Sequence, residues 1–225
     1  MTRRTSLASL VKPPRQVRSR TLSNRILEAT ERVIRRDGLN FTIRDVAEEA
    51  QTSLGGIYGR FINRAELLHA VHEEILKRVE QQIMEAIRGA AVRDVMAMVE
   101  AFVGVVAQAY CAHGNALALI VSGSQASVTE HRAVQSQENV YRALCDVARS
   151  FPGQVRRPDV DLAMRVVLQI VLGTFGRWAR LGPRFGENAS DLAVLRQEMV
   201  DLVQAYLSAA PALSDAAGGT GRLQT

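Results

Sequence analysis

Few residues of this chain have the types and spacing that catalysis or metal binding requires. His69, His72 and Glu73 lie about one turn apart on a predicted helix and could ligate a metal, but we interpret them as a solvated helix face. Cys111 and Cys145 form no CxxC pair and no zinc spacing, so we expect two reduced core residues. The GxxxxGK, GxSxG and HExxH motifs are absent from the sequence. We therefore predict no enzyme, no metal site and no cofactor.

The chemistry that the sequence favours instead is the binding of a polyanion. Residues 1 to 64 hold thirteen Arg or Lys against six Asp or Glu, whereas the remainder holds fifteen against seventeen. Within the first 25 residues there is no acid and there are seven cations: Arg3, Arg4, Lys12, Arg15, Arg18, Arg20 and Arg25. Such a segment attracts nucleic acid, or it is a solvated tail without a partner.

The elements that must position these cations are helices. The 225 residues are 47% hydrophobic and only 5% aromatic, which predicts an all-α protein with a sizeable core. A 3.6-residue apolar period predicts a first helix over 21–37 that Gly38 ends. Thr42 can cap a second helix that runs to about Ala50, because Asp45 can reach back from three residues later.

A third short helix and a long fourth helix follow. Thr52 or Ser53 can cap the third helix, which ends near Gly59. Asn63 can cap the fourth, with Ile62 packed on Leu67. Three short helices behind a basic arm, the second and third joined by a tight turn, are typical of a helix-turn-helix DNA reader.

Three segments resemble the N-terminal domain of TetR-family transcriptional regulators. They are 41–50 (FTIRDVAEEA), 52–61 (TSLGGIYGRF) and 64–68 (RAELL), within a match that covers about 21–70. The resemblance implies an all-α, dimeric, ligand-responsive repressor with a variable C-terminal effector domain. The chain departs from the family pattern at Gln51, where glycine is frequent, at Leu54, where a cation is frequent, and at Gly59, where a large residue is frequent. The DNA sequence that is read therefore does not follow from the resemblance.

DNA contacts are expected around the second and third helices. The helix N-termini can hold phosphates, and the resemblance implies further phosphate contacts from the Tyr58 hydroxyl and Arg64. For base reading, Arg44 suits a guanine edge and Leu54 a thymine methyl group, although simple surface or cap roles stay open for both. Three glycines in the third helix indicate close approach of the backbone to DNA or to the first helix, or an element that is loose until it binds. The predicted DNA-binding set is Thr42, Arg44, Thr52, Ser53, Leu54, Gly56, Tyr58, Arg60, Asn63 and Arg64.

The larger C-terminal part reads as one compact helical bundle. Helices are predicted at about 93–113, 115–123, 127–150, 158–181 and 189–209, with Pro158 in a first turn and Gly182-Pro183 as a stop. The last two have apolar stripes that suit a two-fold four-helix interface, and the resemblance points to dimerisation there, although periodicity alone supports ordinary core equally. The predicted interface set is Leu162, Val166, Ile170, Gly173, Leu195, Met199, Leu202 and Tyr206.

An apolar pocket with a few converging polar groups is also predicted in this bundle. Each candidate alone could equally be a satisfied core or interface residue. The candidates are Glu100, Gln108, Tyr110, Cys111, His113, Gln169, Thr174 and Trp178.

Four regions are therefore predicted: a disordered basic arm over 1–19, a helix-turn-helix domain over 20–70, an effector-binding and dimerisation domain over 71–210, and a disordered tail over 211–225. The longest apolar stretches fall short of a membrane span and no export signal is visible, so we expect a cytoplasmic protein.

The function predicted is that of a homodimeric TetR-type regulator, a repressor that binds a palindromic operator and is released by a small molecule. One alternative is a constitutive DNA-binding protein whose bundle only dimerises. The other is a small-molecule-binding or enzymatic bundle with an incidental basic arm.

Overall fold

The structure is a computed structural model that describes residues 15–89, 91–121, 126–181 and 189–209. Within these ranges every regular secondary-structure element is an α-helix, which confirms the all-α prediction. The helices are α1 (Arg15–Asp37), α2 (Ile43–Glu49), α3 (Leu54–Tyr58), α4 (Arg64–Ile87), α5 (Val95–Val121), α6 (Ala126–Arg149), α7 (Val160–Leu181) and α8 (Ala189–Ser208).

The chain divides into two compact units. Of the described residues, the first unit comprises 15–74, 115–121 and 126–129, and the second comprises 75–89, 91–114, 130–181 and 189–209. In the first unit α2 packs on α1 and on α3, with Ile26, Val46 and Ile57 among its buried side chains. The second unit has its own hydrophobic core, and there α7 packs on α8.

The first helix is longer than predicted. It begins at Arg15, six residues before the expected start at Thr21, and directly after Pro13-Pro14 in the sequence. Proline lacks the amide hydrogen that a helix interior needs, so a proline pair is a natural place for a helix to begin. The prediction of a disordered arm over 1–19 is thus wrong for residues 15–19, while residues 1–14 and the predicted tail over 211–225 lie outside the described residues.

A single helix, α5, replaces the two helices predicted at 93–113 and 115–123. The expected break falls at Gly114, which is buried inside α5. A Cβ atom added to Gly114 would lie 2.5 Å from the Cβ of Ala179 in α7. This glycine therefore permits close packing of two helices and does not end one.

The last three helices, α6, α7 and α8, begin and end within two residues of their predicted bounds. Pro158, however, precedes α7 and does not lie in its first turn. The Asp159 carboxylate accepts the Leu162 backbone N–H at 2.9 Å and so caps this helix. Gly182-Pro183 lies outside the described residues.

The expectation that the longest apolar stretches fall short of a membrane span is wrong for α5 and α7 by length and composition. By length and composition alone, Val95–Gly114 and Val160–Leu181 would each be sufficient to cross a membrane. Their buried faces, which include Phe102 and Phe175, belong to the hydrophobic core of the second unit. Packing within that unit thus accounts for the buried face of each helix, whereas other apolar residues of α7, such as Leu162, are exposed.

Two expectations about α4 are wrong. His72 is 1% exposed and so does not lie on a solvated face, because it sits beside the buried stripe of Leu67 and Val71. Ile62 is 82% exposed and does not pack on Leu67. Its backbone N–H donates to the Glu66 carboxylate, which holds the chain while the side chain faces outward.

The two cysteines also differ from each other. Cys145 is buried as predicted, and burial raises the pKa of its thiol. Cys111 is exposed, so its assignment to the core is wrong. A cysteine on an apolar helix need not lie on its buried face, and one sequence does not show which face that is.

Candidate nucleic-acid interface

The first helix of the candidate site, α2, is held at its N-terminus by a capping box. The Thr42 hydroxyl accepts the Asp45 backbone N–H at 3.3 Å, and the Asp45 carboxylate accepts the Thr42 backbone N–H at 2.6 Å. The Thr42 hydroxyl also donates to the Asp45 carboxylate at 2.8 Å, and the two hydrogen bonds that the backbone and side chain of Thr42 donate to this carboxylate lower the pKa of Asp45. The cap fixes the start of α2, and the adjacent Arg44 side chain is exposed.

The turn after α2 is a complete Schellman motif. The Thr52 N–H donates to the Ala47 carbonyl at 2.9 Å and the Gln51 N–H donates to the Glu48 carbonyl at 3.0 Å. This geometry requires Gln51 to adopt φ of 49°, in the left-handed region that favours glycine. The fold therefore keeps the turn at the position where the sequence departs from the family pattern.

The second helix of the site, α3, is short, with one buried face and one exposed face. The Ser53 hydroxyl caps it by accepting the Gly56 backbone N–H at 3.0 Å, and Ile57 is buried beneath it. Leu54 is 40% exposed and Tyr58 is 54% exposed. These two residues are four apart and thus share one helix face, which points to solvent.

Two predicted DNA-binding arginines are used inside the first unit. Arg60 donates from Nη1 to the Gly56 carbonyl at 3.0 Å. Arg64 donates to the Leu39 carbonyl, and its guanidinium lies 4.5 Å from the centre of the Phe41 ring. Both side chains therefore stabilise the fold around α3 and α4, a role that sequence reasoning missed.

Arginines of α1 are also committed to the fold. Arg25 donates to the Ala50 carbonyl at 2.6 Å and so satisfies the C-terminus of α2. Arg32 forms an ion pair with Glu49 at 2.7 Å, and Arg36 lies 3.6 Å from the same carboxylate. Because these partners are far apart along the chain, no local motif indicates them, and Arg25 in particular is a structural cation and not part of a free basic arm.

The predicted DNA-binding residues thus separate into two groups. The half-buried group is Thr52, Gly56, Arg60 and Arg64. The exposed group is Thr42, Arg44, Ser53, Leu54, Tyr58 and Asn63. Two short helices joined by a fixed turn, with one exposed face on the second, define a helix-turn-helix protein.

Comparison with known proteins identifies the family. Residues 26–71 match the bacterial regulatory proteins of the tetR family, and residues 94–207 match the tetracyclin repressor-like C-terminal domain. The chain belongs to the TetR family of transcriptional regulators. Its DNA-binding part is the helix-turn-helix described above.

Individual relatives agree with this assignment. The HTH-type nicotine-responsive transcriptional repressor HdnoR of Paenarthrobacter nicotinovorans is 35% identical over 65 residues, which are 28% of this chain and 34% of that protein. The chain thus matches about a third of the length of this curated relative. The TetR family transcriptional regulator PfmR of Thermus thermophilus superposes with a TM-score of 0.62 at 19% identity, covering 82% of this chain and 100% of that one. The fatty acid degradation regulator FadR of Bacillus halodurans gives 0.60 at 17% identity, covering 80% and 97%. At these identities the two structures show a common fold alone.

The pocket candidates of the second unit are divided by burial. Glu100, Gln108, Cys111 and Gln169 are exposed, so burial provides no argument for a ligand at these four residues. The half-buried candidates are Tyr110, His113, Thr174 and Trp178. Burial raises the pKa of the Tyr110 hydroxyl, and the Trp178 Nε1 atom is enclosed without a hydrogen-bond acceptor among the described residues.

The interface candidates are likewise divided. Leu162, Gly173 and Leu202 are exposed, and Val166, Ile170, Leu195 and Tyr206 are half-buried. Met199 is buried in the core of its own unit. Val194 of α8, which sequence reasoning did not select, is exposed as well. In a single chain, Leu162, Leu202 and Val194 therefore give α7 and α8 apolar residues that nothing covers among the described residues.

A polar network that no sequence motif indicated joins α4 to α6 within the second unit. The Glu80 carboxylate accepts from Arg132 at 2.8 Å and from Asn139 at 2.8 Å. Burial alone would raise the pKa of Glu80, but hydrogen bonds from Asn139, Arg132 and Ser136 prevail and lower it. The network fixes the relative position of two helices that meet with polar side chains inside an apolar bundle.

Proposed function

We propose that this TetR-family regulator is a homodimeric repressor that binds a palindromic operator and releases it when a small molecule binds the second unit. It acts in the cytoplasm, without catalysis and without a cofactor. The observation that carries the proposal is the exposed face of the helix-turn-helix, where Arg44, Leu54 and Tyr58 project from helices whose caps and turn are fully hydrogen-bonded.

The DNA step divides between these side chains. Arg44 can donate two hydrogen bonds to a guanine edge in the major groove, and the Tyr58 hydroxyl can donate to a phosphate. The cations of the N-terminal segment add salt-dependent attraction to the backbone of the duplex. Arg60 and Arg64 donate to backbone carbonyls of the first unit, so we assign them the support of the fold and not the main DNA contacts.

The dimer step uses the exposed face of α7. Leu162 is 56% exposed, and a Cβ atom added to Gly173 on this helix would meet no described residue within 4 Å. Two copies that pack through this face would present two recognition surfaces to half-sites roughly one DNA turn apart. We expect Leu162→Glu to shift the protein to monomers in sedimentation velocity. Val134→Glu, at a residue of α6 that is 59% exposed, should leave the dimer intact.

The release step requires a ligand that prefers one conformation. The match of residues 94–207 to a tetracyclin repressor-like domain and the nicotine response of one relative support a small-molecule effector. Such a ligand relieves repression only by as much as it favours the conformer with mismatched half-site spacing. A crosslink that fixes the spacing and leaves the second unit intact should abolish the ligand response, and a response that persists would refute this mechanism.

The first experiment is a fluorescence-anisotropy titration on the DNA upstream of the protein's own gene, against scrambled DNA, at several salt concentrations. We expect a preference on the order of 10³ or more with a steep salt slope. Arg44→Ala should lower that preference, while the matched control Arg142→Ala, on an exposed part of α6, should not. Equal and weak binding of both DNAs would contradict the proposal for that operator.

A further inference from the structure

The surface of α3 has an unusual composition for a DNA reader. Between Ser53 and Asn63 the exposed residues are Ser53, Leu54, Gly55, Tyr58, Gly59, Ile62 and Asn63. The side-chain oxygen atoms of Ser53 and Asn63 accept backbone N–H groups from the first turns of α3 and α4, and the half-buried Arg60 donates to a backbone carbonyl. The α3 helix itself thus presents one aliphatic side chain and one phenol, and its side chains offer very little for hydrogen bonding to base edges.

Gly55 adds an independent observation. Among the described residues, a Cβ atom added there would meet only the Ser53 Oγ atom, at 3.8 Å, so this part of the fold has room for a side chain. Alanine is the better helix former, and Gly55 has no left-handed backbone angle that would require glycine. By contrast, a Cβ atom on Gly56 would lie 2.5 Å from the Thr52 hydroxyl oxygen. The contact with Thr52 explains why position 56 is a glycine, whereas no contact among the described residues explains the glycine at position 55.

We propose that Leu54 and Gly55 together form a contact for the 5-methyl group of a thymine in the major groove. The inference rests on the proposed function and specifies how its operator is read. The Leu54 side chain packs on the methyl group, and the bare Cα of Gly55 lets the base edge approach the helix backbone. Arg44 of α2 supplies the hydrogen-bonding part of the readout, so a half-site contains both a guanine and a methyl-bearing thymine.

Unlike Arg44, Leu54 recognises its base without hydrogen bonds. Thymine is the only DNA base with a methyl group in the major groove, so an apolar side chain distinguishes it without any hydrogen bond. The contact contributes the burial of about one carbon, which corresponds to about a fourfold change in affinity at each half-site. The DNA is then expected to show a methyl dependence that a purely electrostatic or phosphate-based interface lacks.

The test uses the full chain and an operator selected by that chain from random DNA. Each thymine of the half-site is replaced in turn by deoxyuridine, which lacks only the methyl group. One position should weaken binding about fourfold per half-site. Leu54→Ala should bind the thymine and deoxyuridine duplexes equally, whereas Arg44→Ala should weaken binding but keep the dependence on the methyl group.

Gly55→Ala provides a second readout. It should leave the thermal unfolding of the protein unchanged or raise its midpoint, yet weaken operator binding, because the new methyl group would occupy the space for the base edge. Sequence-specific binding without any thymine that responds to deoxyuridine, or an unchanged response in Leu54→Ala, would overturn the inference and leave the proposed function intact. A failure to select any preferred sequence would instead overturn the proposed function.

Discussion

Replacement of Gln51 by glycine should stabilise the helix-turn-helix. Gln51 adopts φ of 49° at the position after α2 where a Schellman motif places a left-handed residue. The left-handed conformation costs an L-residue about 1–2 kcal/mol. Glycine avoids that cost, but it makes the unfolded chain more flexible, which destabilises the folded state by about 0.5–1 kcal/mol. The net gain expected is about 1 kcal/mol.

Hydrogen exchange measured by mass spectrometry is the suitable assay, because the two units need not unfold together. Amides of α2 and α3 should exchange about fivefold more slowly in Gln51→Gly, the factor that about 1 kcal/mol corresponds to. Gln51→Ala removes the side chain beyond Cβ but keeps the left-handed backbone cost of an L-residue. It should therefore change the exchange rates of these amides little.

The reverse substitution serves as the matched control. Gly38, at the end of α1, has φ of 66°, and a Cβ atom there would meet nothing within 4 Å in the part of the chain that the structure describes. Gly38→Ala should therefore destabilise the first unit by about 1 kcal/mol through the backbone alone. If Gly38→Ala destabilises the unit and Gln51→Gly does not stabilise it, the reasoning about the turn is wrong.

Three further predictions concern packing and charge. Ile57→Ala should lower the free energy of unfolding by about 2–4 kcal/mol in urea titrations, whereas Ile62→Ala should change it by less than about 0.5 kcal/mol, because one side chain is buried and the other exposed. Gly114→Ala should destabilise the second unit by about 1–3 kcal/mol, since its new methyl group would meet Ala179. The control Gly104→Ala, in the same helix, should be neutral or stabilising. Equal effects of the two substitutions would contradict the close packing of α5 on α7 at Gly114. Because the pKa of Glu80 is lowered, this residue stabilises the folded state above the pKa of an unfolded glutamate, and that stabilisation is lost as the pH falls through the folded pKa. Urea midpoints should therefore fall on acidification in the wild type and fall less in Glu80→Gln. An equal fall in both proteins would show that Glu80 is not the group responsible.

Local signals in the sequence were sufficient for the helix-turn-helix. Capping by Thr42, Ser53 and Asn63 depends on hydrogen bonds that reach only three residues along the chain, so residue types and spacing determine it. The exposure of Leu54 and Tyr58 follows from the same short range, since they alternate with the buried Ile57 on a helix of known period.

The second unit was less predictable, because its helices are apolar on several faces. Glu100 and Cys111 were selected as pocket residues from their contrast with apolar neighbours, yet both are exposed. Met199 belongs to a stripe that fits a dimer interface or a core equally, and it lies in the core. A helix period indicates which residues share a face, but only the neighbouring helices determine what that face meets.

The amino-acid sequence by itself determined the helices, their caps and the turn, because these depend on interactions between residues a few positions apart. Only the tertiary structure decided how Arg25, Arg64, Glu80 and Gly114 are used, since their partners are 23 to 65 residues away in sequence. An arginine that binds a phosphate and an arginine that caps a distant helix have the same side chain. The contact that distinguishes them forms only when the chain has folded.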